Sequence, residues 1–182
     1  MKLEFPKPYA DIVARLRVPC GFLLVALFAW FSNPSVRSLE FGLPVSIVGL
    51  AVRAWSAGHL RKNQRLTSSG PYRYTRNPLY LGTLLVAAGL ALASRSVALG
   101  VVFAVVFACI YLPVIQLEQQ HLRSLFPEYT AYAARVPALV PRLTRAGGSG
   151  AFRWELYMKN REYEAAAGFA AGALFLLWKA LR

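Results

Sequence analysis

The chain is 182 residues long, a length that fits one domain; 57% of its residues are hydrophobic and its net charge is +13. This combination excludes an ordinary soluble basic protein, and the long apolar runs argue against a nucleic-acid partner. Its two cysteines, Cys20 and Cys109, fall in apolar runs, and its two histidines, His59 and His121, form no cluster with ligand spacing. No metal site is therefore predicted.

Five apolar runs divide the chain and predict an all-α integral membrane protein with five transmembrane helices. A helix needs about 20 largely apolar residues, and about 17 at least, to cross a bilayer. The runs at 97–117 and 41–57 reach this length, whereas those at 18–31 and 78–93 are short and would borrow flanking residues. The last run, 165–181, is rich in alanine and glycine, which predicts that its helix packs closely on its neighbours.

The distribution of basic residues predicts how these helices are oriented. With the N-terminus in the cytoplasm, 16 of the 21 Lys and Arg residues lie in cytoplasmic segments, 4 lie in outer segments, and Arg53 alone lies within a span. This asymmetry follows the positive-inside rule. Only residues 94–96 join the third and fourth helices, so a tight antiparallel hairpin is expected there. Residues 152–163 are expected to form a basic surface helix before the last span.

Two polar motifs interrupt the apolar pattern. Residues 70–82 form a dense basic and aromatic turn, Gly-Pro-Tyr-Arg-Tyr-Thr-Arg-Asn-Pro-Leu-Tyr-Leu-Gly, which runs directly into the third helix. The second motif follows the fourth run, with Leu-Glu-Gln-Gln-His-Leu at 117–122, Phe-Pro-Glu-Tyr-Thr-Ala-Tyr at 126–132, and prolines at 137 and 141. Because the intervening helices form a hairpin, Asn77 and Glu118 would lie at the same membrane face. The two motifs are therefore predicted to form one site.

In this order and at this separation, the motifs resemble the signature of the isoprenylcysteine carboxyl methyltransferase and phospholipid methyltransferase family. That signature reads roughly G-P-Y-x-x-x-R-[HN]-P-x-Y-x-G and then E-E-x-x-L…F-G-x-E-Y-x-x-Y…V-P…P. The resemblance covers residues 49–142 and is to small prokaryotic members. It implies a single membrane methyltransferase domain over 1–182 in a bacterial or archaeal plasma membrane, with residues 151–182 adding the surface helix and last span.

The resemblance also implies the ligands. The cofactor would be S-adenosylmethionine, bound in a pocket at the cytoplasmic ends of the third and fourth helices. No glycine-rich nucleotide-binding loop of the G-x-G-x-x-G kind is present after a strand. The methyl acceptor would be a lipid-like or isoprenoid molecule reaching the site from surrounding membrane lipids, and no obligate protein partner is implied.

The family pattern assigns cofactor-binding residues to this face. Tyr72 and Tyr80 would pack on the adenine or near the sulfonium, whereas Tyr74 is expected to be an interface anchor. The amide of Asn77 would hold a polar part of the cofactor; the alternative is that it simply caps the third helix. The pattern also assigns cofactor contacts to the loop before the first motif, which could instead be merely solvated, and to the start of the third helix. These residues are His59, Gln64, Arg65, Leu66, Thr67, Pro78 and Leu79.

Two charged residues, Arg53 and Glu118, are predicted to be catalytic, and Glu118 also to bind the cofactor. A carboxylate that ends an apolar helix is costly without a partner, although it could simply reach the headgroup region. Arg53 lies within a span, where it is either functional or snorkels to the interface. Carboxyl methyltransferases of the family carry a substrate-binding Arg at the position of Val114 and a second Glu at the position of Gln119. These departures disfavour a prenylcysteine acceptor unless Arg53 has taken over the missing role.

Two other classes of function stay open. A membrane reductase of the sterol reductase kind would bind NADPH in a related helical pocket, and a noncatalytic membrane scaffold would bind neither cofactor. The surface segment 152–163 has two interpretations as well. It is either an interfacial helix or a lid whose Arg161 or Glu162 contacts the cofactor or the acceptor.

Overall fold

The structure, a computed structural model, describes residues 5–142, 148 and 150–182, and these form helices and turns without a strand. The predicted all-α class is confirmed for this part of the chain. A 3-10 turn, Gly70–Arg73, precedes α3, and a π-helical turn, Phe107–Tyr111, joins α4 to α5. The helices are α1 (Lys7–Phe31), α2 (Val36–Ala57), α3 (Pro78–Ser94), α4 (Val97–Val106), α5 (Leu112–Leu125), α6 (Tyr129–Arg135), α7 (Trp154–Lys159) and α8 (Tyr163–Ala180).

Two helical stretches are long and apolar enough to cross a membrane: α2, and the continuous stretch Val97–Leu125 made of α4, the π turn and α5. A third is obtained if α1 counts as one span, because it bends by 51° between Pro8–Leu16 and Val18–Phe31. Pro19 follows the bend and lacks the N–H of a regular helix, which accounts for the break. Helix α3 is apolar but has only 17 residues. Of the five predicted spans, two or three thus have a spanning length in the described chain.

The turns between the helices meet at one end of the molecule. The backbone N–H of Asn33, between α1 and α2, donates to the carbonyl of Ser94 at the end of α3, 2.8 Å away. The Lys179 ammonium near the end of α8 lies 3.0 Å from the Ala29 carbonyl and 3.3 Å from the Ser32 hydroxyl. The two turns and the end of α8, which the charge distribution predicts to be outside, therefore lie together.

Helices α2 and α3 form the most extensive pair, and glycines on both helices make their close approach possible. A Cβ at Gly49 would lie 2.7 Å from the carbonyl oxygen of Gly82, and one at Gly89 would lie 2.5 Å from that of Gly42. Ser46, fully buried between them, donates from its hydroxyl to the Val86 carbonyl at 3.0 Å. Such small residues let two backbones touch without any hydrophobic driving force, as helix pairs in membranes require.

Two expectations about helix packing and length need correction. The two glycines of α8 do not lie against a neighbouring helix: a Cβ at Gly168 or Gly172 would meet nothing within 4 Å. The surface helix expected over 152–163 is limited to Trp154–Lys159, since Arg161 adopts a left-handed φ of 55° that ends it.

The glycine contact predicts a large difference between two Gly→Ala substitutions. Gly89→Ala would place a methyl group 2.3 Å from the Ser46 hydroxyl oxygen, so we expect an overpacking cost of about 1–3 kcal/mol. Gly168→Ala meets open space and gains about 0.5–1 kcal/mol from the better helix propensity of alanine. Thermal unfolding in detergent should show a lower Tm for Gly89→Ala and an equal or higher one for Gly168→Ala. Equal Tm values for the two variants would contradict the packing described for α2 and α3.

Candidate active site

The first motif enters the site through the 3-10 turn Gly70–Arg73. Gly70 has a φ of 57°, and a Cβ there would lie 2.7 Å from the ring of His59. Only glycine satisfies both conditions without strain. The turn directs Tyr72 inward, where the residue is 7% exposed.

The second motif is bonded directly to the first. The Tyr132 hydroxyl, from α6, donates to the carbonyl of Tyr72 at 2.7 Å. Beyond α6 the chain returns alongside residues 74–77 and adds backbone hydrogen bonds from Arg76 N–H to the Pro137 carbonyl and from Arg142 N–H to the Tyr74 carbonyl, each 2.9 Å long. The predicted meeting of the two motifs is thus observed, and α6 together with the residues that follow it joins them.

Asn77 stands at the N-cap position of α3, but its side chain does not cap the helix. Its amide nitrogen donates to the carbonyl of Ala138 at 2.7 Å, and the Thr75 hydroxyl donates to the same carbonyl at 3.1 Å. The residue is 7% exposed. The capping alternative is therefore wrong for the side chain, and contact of Asn77 with a cofactor stays a prediction, one that would have to use its amide oxygen.

Tyr72 lies where several acidic and aromatic residues converge. Burial raises the pKa of its phenol far above the ordinary value, and the negative charges of Glu118 and Glu162 raise that pKa further, as do Tyr132 and Tyr80. These groups belong to α5, the start of α8, α6 and α3. Residues distant in sequence thus surround one buried tyrosine.

Glu118 is exposed on α5, and no described residue forms an ion pair with it. Leu122, one turn after Glu118 on α5, packs on the cluster of Tyr129, Tyr132 and Val136, and the negative charge of Glu118 raises the pKa of Tyr72. The carboxylate therefore lies near the junction of the two motifs. The protein partner expected for a carboxylate at the end of an apolar helix is not found in the described part of the chain. The Glu118 carboxylate, which accepts hydrogen bonds and carries a negative charge, is therefore available to a ligand.

Aromatic side chains line the side of the site formed by α3 and the π turn. Tyr80 contacts the ring of Tyr111 edge-on, with centroids 6.1 Å apart. Tyr74 points the other way and packs against Trp55, 6.3 Å between centroids, beside the end of α2. Sequence patterns gave no reason to single out Tyr111, because the π turn that presents it has no simple sequence signature.

Arg53 crosses from α2 to the beginning of α8 and forms a bidentate ion pair there. Its Nη2 lies 3.1 Å from Oε2 of Glu162, its Nε binds Oε1, and its Nη1 donates to the Thr83 hydroxyl of α3. The aliphatic part of the Arg53 side chain passes over Gly82, where a Cβ would lie 2.5 Å from the Arg53 Cγ. The last glycine of the first motif thus leaves space for the arginine.

This ion pair settles how the arginine is accommodated. The side chains of Arg53 and Glu162 are 23% and 9% exposed, so the positive charge is neutralised mainly by a carboxylate rather than by water. Snorkelling alone therefore does not describe Arg53. Glu162 is one of the two residues suggested for a lid contact; the other, Arg161, is exposed and pairs with Glu164.

The loop between α2 and the 3-10 turn holds the remaining predicted residues. His59 is buried, with Nδ1 2.9 Å from the Trp55 carbonyl and Nε2 3.2 Å from the Gly150 carbonyl. Leu66 packs on the cluster of Tyr129, Tyr132 and Val136. Gln64 and Arg65 are exposed, and Thr67 accepts a long backbone hydrogen bond from Arg61 at 3.4 Å. His59 is thus committed to backbone contacts, and cofactor binding by this loop stays a prediction.

The bond from Asn77 to Ala138 predicts a specific loss of stability. Asn77→Asp keeps the size of the side chain but replaces the donor by a carboxylate facing the Ala138 carbonyl, which should cost about 1–3 kcal/mol. Asn33→Asp adds the same charge at an exposed turn and serves as the control. Thermal unfolding should show a lower Tm for Asn77→Asp only. If both variants unfold like the parent protein, the amide does not hold the two motifs together.

Comparison with known proteins gives a consistent result. A family model described as phospholipid methyltransferase matches residues 16–129. The cobalt-zinc-cadmium resistance protein CzcN of Cupriavidus metallidurans is 39% identical over 154 residues, covering 79% of this chain and 69% of the relative. The nickel-cobalt-cadmium resistance protein NccN of Alcaligenes xylosoxydans xylosoxydans is 33% identical over 138 residues, covering 70% of this chain and 63% of the relative.

A more distant relative carries an enzymatic name. The protein-S-isoprenylcysteine O-methyltransferase of Schizosaccharomyces pombe is 25% identical over 141 residues, which cover 74% of this chain and 59% of the relative. No solved structure matches the chain significantly. Because the family model matches more than half of the chain, including α2 to α5 and the greater part of the two motifs, the chain belongs to the phospholipid methyltransferase family.

Proposed function

We propose that the protein transfers a methyl group from S-adenosylmethionine to a lipid-like or isoprenoid acceptor at the cytoplasmic face of the membrane. The observation that carries this proposal is the exposed Glu118 carboxylate, which has no ion-pair partner among the described residues and lies near the buried Tyr72 at the junction of the two motifs. A ligand that brings positive charge would complete this arrangement, and S-adenosylmethionine carries a sulfonium and an ammonium group. The proposal also names Arg53 and the predicted cofactor-binding residues as parts of the site.

The residues present suit such a cofactor. The Glu118 carboxylate would accept hydrogen bonds from its cationic groups, and the rings of Tyr72 and Tyr80 would pack beside its flat or positively charged parts. When bound, S-adenosylmethionine supplies a methyl carbon that the sulfonium already activates. The protein then contributes orientation and exclusion of water. An amine acceptor must also lose a proton, for which Glu118 and His121 are the exposed bases at this end of α5.

Family membership favours a methyltransferase over the two other classes. A sterol reductase kind of enzyme would need to bind NADPH, and a scaffold would need no open carboxylate at the junction of the motifs. Neither class has support from the family match or from the relatives. Titration with S-adenosylhomocysteine and with NADPH separates the three classes directly.

The arrangement of the turns supports a topology of five membrane-spanning segments. The turns at 32–35 and 94–96 and the end of α8 lie together, whereas both motifs lie at the opposite end. We propose that α1, α2, α3, the stretch Val97–Leu125 and α8 each extend across the bilayer, with the N-terminus in the cytoplasm. Helix α3 would then lie in a locally thin region.

An apolar cavity of about 250 Å³ supports entry of the acceptor from the bilayer. It lies between α2, α7 and α8, and its one charged group is the Glu162 carboxylate, which Arg53 neutralises. An apolar chain would fit here with its head towards the Arg53–Glu162 pair. The lining residues are Ile47, Leu50, Ala51, Ala54, Tyr157, Glu162 and Ala166.

The role given to Glu118 predicts a selective loss of cofactor affinity. Glu118→Gln keeps the shape but removes the charge, so S-adenosylmethionine should bind roughly tenfold or more weakly, as expected for a charge-assisted hydrogen bond of about 1.5–3 kcal/mol. Glu128→Gln, at an exposed carboxylate before α6, is the matched control. Calorimetry that gives equal affinities for the two variants would refute the assignment.

The same titration locates the positive group that Glu118 contacts. S-adenosylhomocysteine lacks the sulfonium charge but keeps the ammonium group. If Glu118 faces the sulfonium, Glu118→Gln should weaken the binding of S-adenosylmethionine more than the binding of S-adenosylhomocysteine. Equal losses for the two ligands would assign the contact to the ammonium group.

The ion pair between Arg53 and Glu162 predicts that prenylcysteine is a poor acceptor. Val114 replaces the substrate-binding arginine of the carboxyl methyltransferases, and Arg53 is already bound by both oxygens of Glu162. A carboxylate would therefore enter the interface without a charge partner, which is costly. Radiolabelled methyl transfer should modify a component of a total membrane lipid extract more efficiently than farnesylcysteine analogues.

The control for this prediction must not leave a buried charge unpaired. Arg53→Ala alone would strand Glu162, at a cost of several kcal/mol that could unfold the protein. The double variant Arg53→Gln/Glu162→Gln removes both charges together. If the parent protein methylates farnesylcysteine efficiently and the double variant does not, Arg53 has taken over the missing role and the lipid preference is wrong.

A further inference from the structure

The segment before α1 makes contacts with α5 that the proposed methyl transfer does not use. The backbone N–H of Phe5 donates to Oε1 of Gln116 at 2.7 Å, and Nε2 of Gln116 donates to the carbonyl of Phe5 at 3.0 Å. One amide side chain thus pairs with both backbone polar groups of Phe5, which lies outside any helix. The N-terminal segment is thereby attached two residues before Glu118.

Tyr9, in the first turn of α1, makes a second contact deeper along the same helix. Its hydroxyl donates to the carbonyl of Cys109 at 2.8 Å, and its ring stacks on that of Phe5 with centroids 6.2 Å apart. Cys109 lies in the π turn, and the residue four positions later is Pro113, which has no N–H to donate back to that carbonyl. Tyr9 therefore supplies a donor where the regular helical pattern has lost one.

The π turn determines where Tyr111 points. A π turn accommodates an extra residue and so rotates the side chains that follow it relative to a regular α-helix. Here the ring of Tyr111 stacks on Phe107, with centroids 5.7 Å apart and an angle of 9° between the planes, and meets the ring of Tyr80 edge-on. Tyr80 in turn lies close enough to Tyr72 to raise the pKa of its phenol.

We infer that Tyr111 is a positioning residue for the cofactor site, and that Tyr9 and Gln116 hold it against Tyr80 by fixing the π turn. This inference rests on the proposed function, since Tyr80 is one of the proposed cofactor contacts. According to this inference, the N-terminal segment determines the position of the Tyr80 and Tyr111 rings, beside which the adenine or the sulfonium would bind. Tyr9, Gln116 and Tyr111 act through Tyr80 and need not touch the cofactor themselves.

The first test measures geometry in the full-length protein without any cofactor. The tyrosines are replaced biosynthetically by fluorotyrosine, and the fluorine resonances of Tyr80 and Tyr111 are assigned with Tyr80→Phe and Tyr111→Phe. Gln116→Ala should shift both resonances. Gln120→Ala, one turn further along α5 and exposed, is the matched control and should shift neither. Resonances that stay unmoved in Gln116→Ala would overturn the inference.

The second test measures affinity for S-adenosylhomocysteine by calorimetry, with Tm recorded in parallel. Tyr9→Phe removes only the hydroxyl. Tyr9→Phe and Gln116→Ala should each weaken binding about fivefold, the size of effect typical of residues that act on a site without touching the ligand. Tyr80→Leu should weaken binding about tenfold, and adding Tyr111→Leu to it should weaken binding little further, because Tyr111 acts through Tyr80.

The outcomes separate this inference from the proposed function. If Tyr9→Phe and Gln116→Ala lower Tm while binding stays at the level of the parent protein, the N-terminal segment only stabilises the fold and the inference is overturned. If the parent protein binds no S-adenosylhomocysteine but the fluorine resonances move as expected, the proposed function fails and the positional link stands.

Discussion

The close contact of α2 with α3 is the constraint on which the rest of the site depends. Each helix carries two glycines seven residues apart, Gly42 and Gly49 facing Gly89 and Gly82, and a side chain at any of them would overlap the opposite backbone or a side chain lying on it. Because the backbones touch, Arg53 can cross over Gly82 and reach both Thr83 and Glu162. A wider separation of the two helices would leave the arginine in an apolar layer without partners, which is costly.

The ion pair then fixes the C-terminal part of the chain against the same helices. Glu162 begins α8, and Asn160, two residues earlier, donates from its amide to the carbonyls of Ala57 and Leu60 at 2.9 and 3.0 Å. Phe152 fills the space left by Gly58 at the end of α2. The segment that could have been a free lid is thus attached at three points. Opening of this side of the site would require the Arg53–Glu162 pair to separate, so we expect slow rather than rapid motion there.

Sequence patterns predicted the helical class and the meeting of the two motifs because both depend on local features. Apolar runs of sufficient length, the Gly70-Pro71 turn and the Asn77-Pro78 helix start are each readable within a few residues. The partner of Arg53 was not identified in the same way, since Glu162 lies 109 positions away and only the folded chain brings it near. Likewise, the small residues of α8 are as frequent as those of α2 and α3, but sequence alone does not tell which stripe faces a neighbour.

Several predicted residues are expected to act by binding a ligand, so their roles cannot be deduced from how the side chains pack within the protein. Asn77 and His59 have backbone partners, whereas Glu118 has none among the described residues, and this difference makes Glu118 central to the account. The π turn at Phe107–Tyr111 could not be predicted from the sequence either, because it has no simple sequence signature and its contact with Tyr9 of α1 joins residues 100 positions apart.

The central claim is that the cofactor binds where the first and second motifs meet, beside Tyr72, Tyr80 and Glu118. Ultraviolet photolabelling of the full-length protein with S-adenosylmethionine labelled in its methyl group tests this most directly, because aromatic side chains beside the cofactor capture the label. The account predicts label in the tryptic peptides that contain Tyr72 or Tyr80, and its loss when S-adenosylhomocysteine is added in excess. Label confined to residues 152–163, or label that S-adenosylhomocysteine does not displace, would contradict it.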